Sequence, residues 1–138
     1  RPEASFHKPR GVWFQDPRIQ GRGVHPCNPI EWESNFGGFA MEIAEKIGGF
    51  DEDYDQGWGS DNVNFAERAQ LAGYQIWLDE DNEIYGYPHE LLFPGDQDFK
   101  HNAPSNESMW SRKIGRLQSG EDSWRVPYLD QMRDTVRA

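Results

Sequence analysis

The clearest hydrophobic periodicity in the chain lies between Ser60 and Gly73. Phe65, Ala69 and Ala72 recur at i, i+4 and i+7, with Ala66 beside them, which predicts an amphipathic helix over 60–72. Ser60 or Asp61 is placed to cap its start, and Gly73 falls just past its end. Tyr74, Ile76 and Leu78 then alternate with Gln75, Trp77 and Asp79, the period of a strand. Upstream, Gly11–Gln15 and Asn35–Met41 are short apolar runs read as strands. Ile43 and Ile47 place a short helix over 42–47, closed by Gly48-Gly49. Asp79–Asn82 reads as a turn and Glu83–Tyr87 as another short strand. Met109–Leu117 and Trp124–Val136 read as helices. In the second, Tyr128, Leu129, Met132 and Val136 share a face expected to pack on the domain. Residues 17–34 and 91–108 read as loops. The first is either a binding loop or a plain surface connection. Short strands mixed with helices make the fold class α/β.

Composition narrows this picture. The 138 residues suffice for one domain or part of one, and the 14% of aromatic residues predicts an aromatic-rich core. A formal charge of −10 with scattered basic residues argues against a nucleic-acid or anionic-membrane partner. No apolar run is long enough to span a bilayer. The lone Cys27 has no partner for a disulfide, which fits a reducing, cytoplasmic setting, and nothing around it marks a nucleophile. The chain opens without Met and reads as a segment of something longer.

The chemistry concentrates in Gly48–His89. Trp58 sits between two glycines, so its ring can lie flat against a ligand, as an apolar sugar face requires. Asp61 and Asn62 stand at the helix start, four and three residues before Phe65, and are expected on the buried face. There Asp61 is either an N-cap or a carboxylate held as an anion by the helix N-terminus, able to take a proton from a hydroxyl. Gly38, in the glycine pair of the 35–41 run, permits close approach of backbone or ligand.

The order Gly48-Gly49-Phe50-Asp51-Glu52, Gly57-Trp58-Gly59, Asp61-Asn62, Phe65, Arg68, Gly73-Tyr74 and His89 resembles the C-terminal half of GT-A-fold glycosyltransferases. It is most similar to the inverting family-2 type and its galactosyltransferase-like relatives. The resemblance covers about residues 35–90. It implies a portion of a Rossmann-like fold, with an acceptor- and metal-binding region over 35–90 and a C-terminal loop and helices over 91–138. It also implies a nucleotide-sugar donor, a carbohydrate or other hydroxyl acceptor, and Mn2+ or Mg2+. Asp61 would be the catalytic base, Trp58, Gly59, Asn62 and Gly38 would bind the acceptor, and His89 would ligate the metal. Asn62 departs from the family, which carries an acid there; an amide orients a hydroxyl but cannot deprotonate it. The family's Asp-x-Asp precedes its glycine-rich strand. Here Asp51/Asp53, Asp53/Asp55, Asp79/Asp81 and Asp96/Asp98 all lie downstream and read as acidic turns. The donor-binding half is therefore expected on another segment or on a partner copy. Arg112, Lys113 and Arg116 read as a solvated helix face, although they fall where the resemblance implies a loop closing over the diphosphate, and His7, His25 and His101 read as surface residues. Two other functions stay open: a non-catalytic carbohydrate-binding module, and a hydrolase, for which no second carboxylate can be placed across a cleft.

Overall fold

The computed structural model describes residues 24–32, 37–79 and 103–137. The expected strands at 11–15 and 83–87, the 79–82 turn beyond Asp79, and His7, His89 and His101 lie outside those residues.

Two short strands, β1 (Val24–Pro26) and β2 (Trp77–Asp79), pair antiparallel with His25 opposite Leu78. Cys27 N–H extends the pairing by donating to the Ile76 carbonyl at 2.9 Å. The strand therefore starts later than the alternation from Tyr74 predicts. The cause is the helix before it. Gly73 N–H bonds the Gln70 carbonyl and Tyr74 N–H bonds the Ala69 carbonyl, both at 3.0 Å, and Gly73 takes φ +103°. This double closure commits the Tyr74 amide to the helix end before a ladder can begin.

Helix α1 (Met41–Ile47) ends at Gly48, left-handed as its glycine pair predicts, with φ +85°. Residues 37–40 form no strand: the chain runs into α1 at Met41, and the Phe39 ring turns onto Phe65, centroids 4.7 Å apart. A 3-10 turn (Glu52–Gln56) and the Trp58 loop lead into α2 (Asp61–Leu71), the helix with the clearest periodicity. Helices α3 (Glu107–Ser119) and α4 (Tyr128–Arg137) complete the described chain.

The core sits between α1 and α2. Ala44, Ile47, Phe65, Ala66, Ala69 and Ile76 are buried, with Trp32 and Trp124 packed against them. Phe65 lies at the centre of an aromatic cluster, stacked on Trp32 at 5.4 Å and on Phe50 at 4.4 Å. The expected aromatic core is thus one ring on α2 with three rings around it.

Helix α4 departs from its expected packing. Its start is pinned to the end of α1: Val126 N–H donates to Ile47 at 2.9 Å, and Leu129 N–H to Gly48 at 3.3 Å. Arg125 adds a pair with Asp130 and bonds to the Glu45 and Lys46 carbonyls. Beyond that turn the apolar face points outward, with Met132 57% and Val136 82% exposed. No helix among the described residues is long and apolar enough to cross a membrane.

Candidate functional site

The Trp58 loop is built by backbone constraints. Gly57 is buried, and a Cβ there would strike the Pro104 carbonyl and the Asn106 side chain. Trp58 N–H donates to the Pro104 carbonyl at 3.0 Å, and Asn106 N–H to the Trp58 carbonyl at 3.1 Å. The backbone is thereby held while the indole stays 39% exposed. Gly59 (φ +83°) and Ser60 (φ +68°) are both left-handed. Ser60 is the one non-glycine residue with positive φ among the described residues, a conformation that costs about 1–3 kcal/mol. The pair turns the chain sharply from the loop into α2. Ser60 occupies the N-cap position without a side-chain cap bond, and Asp61 is the first helical residue.

A concave site of about 340 Å3 results, lined by Tyr54, Asp55, Gly57, Trp58, Gly59 and Asp61. Three residues expected from the sequence, Trp58, Gly59 and Asp61, come together here. Asp61 is exposed rather than turned to the buried face, so its carboxylate is open to a ligand. Asn62 takes the buried side instead: it is 7% exposed, and its Nδ2 donates to the Trp32 carbonyl at 3.0 Å. Its amide thus joins the core packing and is not part of the site lining. Gly38 is exposed and has open space around it, so no close backbone approach requires a glycine there. Asp55, expected only in an acidic turn, brings a second carboxylate to the site.

The acidic turn behind the loop is also more than solvated surface. Asp51 is buried, and its side chain accepts from Asp53 N–H at 3.1 Å, capping the 3-10 turn. Lys113 of α3, read as part of a solvated face, reaches Asp51 and Asp53 at 2.6 Å each. Its ammonium also lies 5.4 Å from the Tyr54 ring centroid. Burial alone would lower the Lys113 pKa, but the bonds to the two carboxylates raise it, so the lysine stays charged. The Lys113 hydrogen bond, then that from the Tyr128 hydroxyl at 2.7 Å, holds the Asp53 carboxyl below its usual range. The floor of the Trp58 loop is therefore tied to both α3 and α4. Arg116 pairs with Asp122 at 2.9 Å, while Arg112 is exposed as expected.

Burial, then Glu31, pushes the Cys27 thiol up to about 12, which keeps it protonated and unreactive. Glu67, on α2, is also perturbed. Trp110 Nε1 donates to both its carboxylate oxygens at 3.2 Å, and Glu67 borders a smaller cavity of about 200 Å3 with Asn28, Gln70 and Ile114. Burial pushes its pKa from an ordinary 4.5 up to about 7, against the opposing Trp110 bond. A carboxyl raised in the folded state binds its proton more tightly there than in the unfolded chain. Its stabilising contribution is therefore complete below pH 4.5 and is lost as pH rises through about 7. Glu67→Gln is expected to match the wild type in thermal unfolding near the lower pH and to exceed its Tm at about pH 8. Parallel melting curves across that range check this; a constant Tm difference would contradict the assignment.

Among the described residues no group of three or more His, Cys, Asp and Glu is arranged to hold a metal ion. The described chain is a mixed α/β protein whose exposed Trp-and-carboxylate site opens beside the start of α2. No known family model matches the chain, and no curated protein or solved structure does so either.

Proposed function

We propose that the protein is a nucleotide-sugar-dependent glycosyltransferase, or the acceptor-side portion of one, which transfers a sugar to a hydroxyl with inversion. The observation that carries this reading is the single concave site shared by the half-exposed Trp58 ring and the exposed Asp61 carboxylate. An acceptor sugar stacks its apolar face on the indole. Asp61 takes the proton of the acceptor hydroxyl as that oxygen attacks the anomeric carbon, and the nucleoside diphosphate leaves from the opposite side. Asp55 and the backbone of Gly57 and Gly59 offer further polar contacts to the acceptor. Mn2+ or Mg2+, with His89 as a ligand, would neutralise the departing diphosphate when bound.

A second reading, a non-catalytic carbohydrate-binding module, draws support from Asn62. Where the glycosyltransferase pattern has an acid, this chain has an amide already bonded to the Trp32 carbonyl. Both readings require the sugar platform. Trp58→Ala is expected to weaken saccharide binding roughly tenfold, since a stacked ring contributes about 1–2 kcal/mol. The ring is partly buried, so some loss of melting temperature accompanies the substitution, but the backbone bonds of Trp58 to Pro104 and Asn106 do not involve the side chain and should hold the fold. Ligand-observed NMR with a panel of mono- and disaccharides checks this, and unchanged binding would remove the platform from both readings.

A further inference from the structure

We infer that Asn106 is the positioning residue of the Trp58 platform, its side-chain amide fixing the loop that presents the indole and Asp61 to an acceptor. The inference rests on the carbohydrate reading of that site and adds a residue that the motif does not contain.

Asn106 stands immediately before α3, where an asparagine ordinarily caps its own helix. It makes no such cap; Ser105 Oγ accepts from Glu107 N–H at 3.2 Å instead. The Asn106 side chain points the other way and is 6% exposed. Its Nδ2 donates to the Tyr54 carbonyl at 2.9 Å and to the Gly59 carbonyl at 3.0 Å. Those two carbonyls flank the loop on either side of Trp58. The Asn106 backbone closes the third point through its N–H bond to the Trp58 carbonyl. Its Oδ1 lies where a Cβ on Gly57 would have to go. One side chain thus gathers both ends of the loop.

The chemistry selects an amide. Both carbonyls face the side chain, and one NH2 group carries a hydrogen for each. A carboxylate of the same shape would place negative oxygen against both carbonyls, and an alanine would remove both bonds, leaving the Gly59 carbonyl without its partner and the Tyr54 carbonyl with only the 3.3 Å bond from Gly57 N–H. Because the Asn106 side chain makes no cap bond to α3, removing it acts on the loop rather than on the helix. Asn106 touches no acceptor itself; it acts through Trp58 and Asp61.

Asn106→Asp and Asn106→Ala in the full-length protein test this with two readouts. The first is amide hydrogen exchange at Trp58 and along Phe65–Ala69. The second is the affinity for N-acetylglucosamine and methyl β-galactoside by NMR titration, with the donor site read separately by UDP-glucose affinity. At about pH 7 the variants are expected to lose protection at Trp58 while keeping it along α2. Saccharide binding should weaken roughly tenfold, with donor affinity unchanged. At about pH 4 about half of an ordinary aspartate is protonated, and burial against two carbonyls favours the neutral form further, so the carboxyl introduced by Asn106→Asp can donate one bond. Its deficit relative to the wild type at the same pH should shrink, whereas that of Asn106→Ala should not. Wild-type saccharide affinity in both variants would overturn the inference, as would loss of α2 protection together with the loop. Failure of the wild type to bind any saccharide would instead sink the carbohydrate reading on which the inference rests, while exchange at Trp58 would still report whether Asn106 holds the loop.

Discussion

Asp61→Asn is expected to slow sugar transfer about 10²–10⁴-fold while leaving nucleotide-sugar affinity as it was. The substitution keeps shape and polarity but removes the ability to take a proton. Its structural cost is small because Asp61 is exposed and makes the first residue of α2. Only its interaction with the helix N-terminus is lost, about 0.3–1 kcal/mol. The neighbouring Asn62 cannot substitute, having no basic oxygen and a side chain bonded beneath the helix. A loss confined to turnover separates a base from a binding residue, because a residue that only held the acceptor would weaken its binding instead.

Arg68→Leu is expected to destabilise the fold by about 3–5 kcal/mol: three bonds from a charged donor are lost, and Asn64 Oδ1 and the Gly49 carbonyl are left unpaired, while the Ile47 carbonyl keeps its bond from Val126 N–H. That is a large share of the roughly 5–15 kcal/mol by which a domain of this size is stable. Arg68 is 1% exposed, on the buried face of α2. Its guanidinium donates to Asn64 Oδ1 at 2.9 Å, to the Ile47 carbonyl at 3.1 Å and to the Gly49 carbonyl at 2.8 Å. Burial lowers its pKa to about 10, opposed by the charge of Asp51, so it remains protonated at neutral pH. The fork fastens α2 to the end of α1, where the loop toward Trp58 begins. Lysine offers no such planar fork, so Arg68→Lys should recover only part of the loss. Urea unfolding of the three proteins measures this; a change below about 1 kcal/mol in Arg68→Leu would contradict the clamp.

What the sequence made legible was local. The i, i+4, i+7 stripe located α2, and the glycines at 48 and 73 marked two helix ends because only left-handed backbone closes them. Trp58, Gly59 and Asp61 read as one site because four residues of chain span them. The ion pair that buries Asp51 is not legible in the sequence because its partner, Lys113, lies 62 residues away. Asn106 was invisible for the same reason, since its bonds cross 47 and 52 residues. Asn62 and Asp61 were placed on one face from helical spacing, but the left-handed entry at Ser60 leaves only Asn62 inside. The outward face of α4 shows the opposite limit: periodicity identified the helix and its apolar stripe, but not what the stripe would meet. Arg68 entered as one member of a motif; its role as a clamp needed the positions of two carbonyls from another element.

The most direct measurement is release of nucleoside diphosphate from UDP- and GDP-sugars by the full-length protein, with Mn2+ and a saccharide acceptor, in wild type and Asp61→Asn side by side. The account predicts acceptor-dependent release by the wild type and a rate at least about 100-fold lower in the variant, with equal donor affinity in both. Absence of nucleotide-sugar binding by the wild type, or full turnover by Asp61→Asn, would contradict it.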